Sequence, residues 1–307
     1  MTDFTLPIRD DLVGVQSYGA PQLDVAAPMN VNENPFGPSP ALAAAMAAAV
    51  EKAAGTLNRY PDRDADELRA ALAAYVTRET GVAVTAAQTW AANGSNEVLQ
   101  HIFQAFGGPG RKFLSFTPTY SMYPIIASGT QTEYIAVPRA SRFELTPELI
   151  RTAILEHKPN IVMLCSPNNP TGTPLSLSCI EAAYEAVTEV TGGVVVVDEA
   201  YAEFGGNTEV SAINLLEGRE RLLISRTMSK AFAFAGARVG YLAADPAVID
   251  ALRLVRLPYH LSAFTQAAAE GALHHAATML ATVEDIKYQR DRIVVELLQL
   301  GLDPYRS

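Results

Sequence analysis

Between about residues 90 and 245 the chain repeats one arrangement: a short, almost wholly apolar run followed by a helical stretch. The runs are "KFLSFTP", "IVMLCSP", "GGVVVVDEA", "RLLISRT" and "VGYLAA". None shows the strict polar-apolar alternation of a strand with one wet face, so each reads as a strand buried on both sides. Strands of that kind need helices above and below them, which gives an α/β fold with a mainly parallel central sheet between helical layers. In such sheets ligands gather outside the carboxyl ends of the strands. The residues that follow each run are therefore where chemistry is expected.

Those residues are unusual in each case. "AANGSNEVLQHIFQAF" sets Gly94, Ser95 and Asn96 at a helix start, where free N–H groups and a hydroxyl suit an anion such as phosphate, although Ser95 or Asn96 acting as a plain helix cap also fits. "TPTYSMYP" offers Tyr120, to stack on a flat ring or to pack. "CSPNNPTG" offers Asn168 and Asn169, and "VVVVDEAYAEF" puts Asp198 directly after four valines. A carboxylate at the end of a buried strand is costly to ionise without a cationic partner. Next comes "SRTMSKAFAFAGARVG", with Lys230 preceded by Thr227 and Ser229 and followed by Arg238. A lysine in an apolar setting near other cations has a lowered pKa and attacks carbonyls. Amine, carboxylate, phosphate cradle and aromatic together describe a pyridoxal phosphate pocket.

The same segments resemble the fold type I aminotransferases. "MNVNENPFGP" and "NRYPD" narrow the resemblance to the histidinol-phosphate aminotransferases. That resemblance covers the chain from about residue 5 onward. It implies an α/β/α sandwich with a small C-terminal domain, pyridoxal 5'-phosphate as cofactor, and amino transfer between L-histidinol phosphate and 2-oxoglutarate in histidine biosynthesis. By position, Lys230 would be the Schiff-base amine and proton shuttle, and Asp198 would keep the pyridine nitrogen protonated. Asn169 and Tyr201 would bond the ring oxygen, and Tyr120 would stack on the ring. Ser95, Asn96, Thr227, Ser229 and Arg238 would bind the cofactor phosphate. Tyr60 would reach that phosphate from the neighbouring subunit of a homodimer, and Asn32, Glu33 and Asn34 would lie over the substrate.

The expected organisation is an irregular arm over 1–38, a large cofactor-binding domain over 39–264, and the start of a small domain over 265–307. Ser39-Pro40 should begin one helix and Gly55 close it, and Asp64 with Glu67 should form a capping box ahead of Leu68. Members of the family continue past the last residue here with a segment that carries a carboxylate-binding arginine. Arg306 is not matched to it. The expectation is an incomplete small domain, with Ile293, Val294, Leu297 and Leu298 exposed.

Charge narrows the function further. With 33 acidic and 23 basic residues the formal charge is −10, which works against nucleic-acid or anionic-membrane binding. The longest apolar run, "ALAAAMAAAV", is too short to span a bilayer, and two cysteines, Cys165 and Cys179, have neither metal-ligand nor disulfide spacing. A cytoplasmic enzyme acting on small molecules is expected, with no metal. "GGPGRK" precedes a strand and reads as a turn, and His274 and His275 read as surface or interface residues. Two alternatives stay open: an aromatic amino-acid aminotransferase of the same fold, and a truncated cofactor-binding chain with impaired turnover. A nicotinamide-binding fold would need a glycine fingerprint that the first strand-helix turn lacks.

Overall fold

The computed structural model describes residues 6–205 and 210–305, so Arg306 lies outside the described residues. These fall into two units, Met1–Glu33 and Asn34–Ser307. The first holds one short 3-10 turn, Asp10–Leu12, and its described residues are almost all exposed.

The second unit is built on a seven-stranded sheet. Its strands are β1 (Thr89–Ala92), β2 (Lys112–Thr117), β3 (Glu133–Pro138), β4 (Ile161–Cys165), β5 (Val194–Asp198), β6 (Leu222–Thr227) and β7 (Gly240–Ala243), in the order β1-β7-β6-β5-β4-β2-β3. Neighbours from β3 to β6 pair in parallel, and β7 runs antiparallel to both β6 and β1. The five apolar runs are all strands, as read from sequence. The expectation missed β1 and β3, because four residues of "TWAA" are too few to show a period and "EYIAVP" is a half-exposed edge.

The unit's helices are α1 (Pro40–Ala54), α2 (Asp66–Thr80), α3 (Ser95–Phe106), α4 (Met122–Gly129), α5 (Pro147–His157), α6 (Leu177–Val190), α7 (Pro246–Val255), α8 (Ala263–His274) and α9 (Ala276–Gln299), with short 3-10 turns in the connecting segments. Successive residues of a strand point to opposite faces, so β5 feeds two separate cores. Val195 and Val197 join the cluster that includes residues of α2, α5, α6 and α8. Val194 and Val196 join the other, with α3, α4 and α7. Burying one valine contributes about 2 kcal/mol, so a strand with four of them can hold a buried carboxylate at its end.

Ser39 caps α1 by accepting from the Leu42 N–H at 3.2 Å, and Gly55 follows its last residue, as expected. The capping box at Asp64 and Glu67 does not form. Helix α2 begins at Asp66, and its first N–H donates to Asp62, 2.7 Å away. The Asp64 carboxylate is instead engaged by the guanidinium groups of Arg63 and Arg256, and charge-assisted bonds to arginine outcompete a cap. The long C-terminal helical pattern is broken at His275, whose backbone leaves the helical region between α8 and α9. On α9, Ile293 and Leu298 are exposed as expected, whereas Val294 and Leu297 are half-buried.

One contact sets the spacing of the strand ends. Gly240 is paired with Ala92 on one side and Thr227 on the other. A Cβ on Gly240 would collide with the backbone of Gly94 and Ser95. The first turn after β1 therefore lies directly on β7. Replacing Gly240 with alanine should cost about 3 kcal/mol, because backbone has to move to admit the methyl group. Urea unfolding of the variant checks this, and a loss under about 1 kcal/mol would mean that the turn yields freely.

Candidate functional site

Six strand ends, those of β1 to β6, and the start of β7 lie at the same edge of the sheet. Because β7 is antiparallel, its first residue lies beside the last residues of β1 and β6, and this brings Arg238 alongside Gly94 and Ser229. Gly94 takes φ +81°, and a Cβ there would stand 2.5 Å from a guanidinium nitrogen of Arg238. The Arg238 guanidinium also lies 3.4 Å from Ser229 Oγ, and the Ser229 N–H donates to Thr227 Oγ1 at 3.1 Å. Helix α3 starts here with Gly94 in the cap position and no side-chain cap. Ser95 and Asn96 are thus not the plain helix caps they could have been. Open N–H groups, hydroxyls and a guanidinium make a cup suited to a phosphate.

Beside the cup, Tyr120 follows β2, and its hydroxyl donates to Asn96 Oδ1 at 3.3 Å. The two asparagines after β4 take different roles. Asn168, 2% exposed, is a structural brace that donates to Pro118 O and accepts from Thr119 Oγ1. Asn169 turns toward the site and donates to the Tyr201 hydroxyl at 3.3 Å. The Lys230 amine stands 5.8 Å from the centre of the Tyr201 ring, and the Asn34 amide donates to the Lys230 carbonyl at 3.3 Å.

Asp198 ends β5 at 2% exposure. Its Oδ2 accepts from the Tyr123 hydroxyl at 2.8 Å, and its Oδ1 accepts from the Ala200 N–H at 3.2 Å. Burial pushes its carboxyl up to about 6, against the pull of those two donors. Tyr123 was missed in the sequence. The available signal was its position three residues after Tyr120, which places both on one side of a helical turn, and their rings meet edge to face at 5.5 Å.

A second omission lies on the other face of the sheet. Arg226, 1% exposed, is bound by Glu199 at 3.0 Å and Glu79 at 2.6 Å, with Glu203 3.9 Å away. Tyr75 donates to Glu203 at 3.2 Å. Burial pushes the Glu203 carboxyl up to about 7, and the nearby Arg226 opposes that rise. Glu199 and Glu203 flank the turn that carries Tyr201, so this cluster anchors that turn from behind. Strand alternation after "VVVV" was the signal: if Asp198 faces one core, Glu199 faces the other and needs a cation.

Tyr60, Asn32 and Glu33, also expected at the site, are exposed. Tyr60 is 78% exposed and stacks on Tyr259 with ring centres 4.4 Å apart. Asn32 and Glu33 belong to the first unit and are exposed. Cys165 and Cys179 are free and buried, and burial beside Asp198 pushes the Cys165 thiol up to about 12. Among the described residues no cluster of three or more His, Cys, Asp or Glu could hold a metal ion, and no helix is long and apolar enough to cross a membrane. His274 is exposed, its ring against the Glu270 carbonyl.

The raised carboxyls have a consequence for stability. A carboxyl that binds its proton more tightly in the folded chain favours folding below its unfolded pKa, and that contribution is lost as pH rises through the folded value. For Asp198 the difference is worth about 3 kcal/mol at most. Cofactor-free protein should therefore lose stability as pH rises from about 4 to about 7, and Asp198→Asn should flatten the part of the fall near 6. Denaturant midpoints measured across that range check the sign, and an unchanged slope in Asp198→Asn would contradict it.

Comparison with known proteins extends this geometry. The family model for aminotransferase class I and II matches residues 27–307. A histidinol-phosphate aminotransferase from Paenarthrobacter aurescens is 59% identical over 302 residues, covering 98% of this chain and 80% of that relative. One from Corynebacterium glutamicum strain R is 54% identical over 305 residues, covering 98% of this chain and 82% of the relative. Among solved structures, the histidinol-phosphate aminotransferase of Sinorhizobium meliloti in complex with pyridoxal-5'-phosphate superposes with a TM-score of 0.84 at 25% identity, over all of this chain and 82% of that one. Aspartate aminotransferase from Thermus thermophilus with maleate reaches 0.77 at 27% identity, over 90% and 73%.

Proposed function

Because the chain belongs to the class I and II aminotransferases, and within them to the histidinol-phosphate aminotransferases, we propose that this pyridoxal phosphate-dependent transaminase moves an amino group between L-histidinol phosphate and 2-oxoglutarate. It does so in histidine biosynthesis, in the cytoplasm and as a homodimer. The named relatives favour this donor over the aromatic amino acids. The residues present fit the cofactor: the cup beneath Arg238 is a cradle that a Cβ on Gly94 would fill, lined with donors for a phosphate. Bound there, pyridoxal phosphate supplies a carbonyl carbon that takes up amines and a ring that accepts an electron pair.

The observation that carries the reading is the Lys230 amine facing the Tyr201 ring, with Asn169 on the Tyr201 hydroxyl and Asp198 at the end of the strand leading into the same turn. Lys230 would hold the cofactor and, once displaced by the donor amine, carry the proton away from the substrate carbon. Asp198 would bind the protonated ring nitrogen, and its negative charge favours that protonation. Asn169 and Tyr201 would donate to the ring oxygen, and Tyr120 would cover the ring face. Ser95, Asn96, Thr227, Ser229 and Arg238 would bind the phosphate. Asn34, tied to the Lys230 carbonyl, would border the substrate.

Tyr60 supports the dimer. Its ring is paired with Tyr259, and Leu57 and Leu257, near the two in sequence, are 53% and 76% exposed. From there it would reach the partner's phosphate cup.

Titrating cofactor-loaded protein with L-histidinol phosphate in a single turnover should convert the bound cofactor to its amine form. Lys230→Ala should slow that conversion by about a thousandfold or more. A normal cofactor spectrum without conversion by the unmodified protein would overturn the choice of donor. Co-expression of Tyr60→Ala with Lys230→Ala chains should restore turnover that neither variant has alone, because one mixed site regains both residues. No recovery in purified mixed dimers would contradict the shared site.

A further inference from the structure

Tyr123 has no exposed surface, and its phenol donates to Asp198 Oδ2 at 2.8 Å, with the Cys165 thiol also in contact. Burial and the neighbouring carboxylate hold that phenol well above its ordinary pKa, so it stays protonated and donates. Asp198 otherwise receives one longer bond, from the Ala200 N–H at 3.2 Å. The groups around it are Tyr123 from α4, Cys165 from the paired position on β4, and Glu199 next along β5, with Arg139 near Tyr123 and Cys165. Burial and Glu199 favour the neutral acid, and the two hydrogen bonds favour the carboxylate. A neutral acid cannot offer its charge to a cationic ring nitrogen.

We propose that Tyr123 is a positioning residue for the cofactor's ring nitrogen: its hydroxyl fixes one oxygen of Asp198 and keeps that group ionised. The tyrosine thereby acts through Asp198, without touching the ring. The same side chain supports the covering ring of Tyr120 by its edge-to-face contact. One buried phenol therefore sets both the floor and the wall of the cofactor pocket. The inference rests on the assignment of Asp198 to the ring nitrogen, and the variants below separate the two.

The readout is the pH midpoint at which the absorption of the bound cofactor changes, followed at equilibrium without substrate. Positive charge on the ring nitrogen lowers the basicity of the nitrogen that Lys230 contributes, so weakening Asp198 raises the midpoint. Tyr123→Phe should raise it by about one pH unit, the worth of one hydrogen bond to a charged group. Asp198→Asn should raise it at least as far, and adding Tyr123→Phe to Asp198→Asn should move it no further. Site-specific replacement of Tyr123 by 3-fluorotyrosine, a stronger donor of nearly the same shape, should lower it. That last variant carries the test if Tyr123→Phe does not fold.

If Asp198→Asn raises the midpoint and neither Tyr123 variant moves it, the tuning role is wrong while the Asp198 assignment stands. An equal further rise from Tyr123→Phe in the Asp198→Asn background would show that the tyrosine does not act through Asp198. A midpoint untouched by Asp198→Asn would remove the assignment and the inference together.

Discussion

A carboxylate kept almost dry is the constraint on which the rest of the site depends. Asp198 is 2% exposed at the end of a strand of valines, and a phenol and one backbone N–H stabilise its charge. An ion of that size loses several kcal/mol of hydration in such a place. The packing of β5 is sufficient to offset that loss, and this is why the residue can be held ready for a cation. Its raised pKa records stored electrostatic demand, which a protonated ring nitrogen would satisfy.

The sheet turns this demand into a site by serving two cores at once. Odd-numbered valines of β5 face one core and even-numbered ones the other, and the alternation continues into Asp198 and Glu199. Asp198 lies on the face shared with Val194, Val196 and Tyr123. Glu199 faces away and binds Arg226, which also gathers Glu79 and stands near Glu203, so the turn bearing Tyr201 is fixed from behind. The close approach of Gly240 to Gly94 does the equivalent work for the phosphate cup. Charge on one face and backbone contact at the edge together define where a cofactor can lie.

Much of this was legible in the sequence. Long apolar runs determine buried strands whatever their neighbours, so the five central strands and the polar residues after them could be read directly. Short elements could not: β1 has four residues, and its place in the sheet comes from pairing with β7, which lies far along the chain. Tyr123 and Arg226 escaped for a related reason. Their roles depend on partners 75 and 27 residues away, Asp198 and Glu199, and no local period encodes such a pairing. The capping box failed because Asp64 found arginine 192 residues away, which a reading of neighbours alone cannot weigh. Asn168 and Asn169 looked alike in sequence, and only their hydrogen bonds separate the brace from the residue bonded to Tyr201.

The most direct measurement is the titration of the Asp198 carboxyl itself, by carbon-13 NMR of protein labelled at aspartate, with the signal assigned by its loss in Asp198→Asn. In the cofactor-free chain it should titrate near 6, and with pyridoxal phosphate bound it should remain ionised to well below that pH. A midpoint unchanged by the cofactor would contradict the account, because it would mean that this buried charge and the ring nitrogen do not meet.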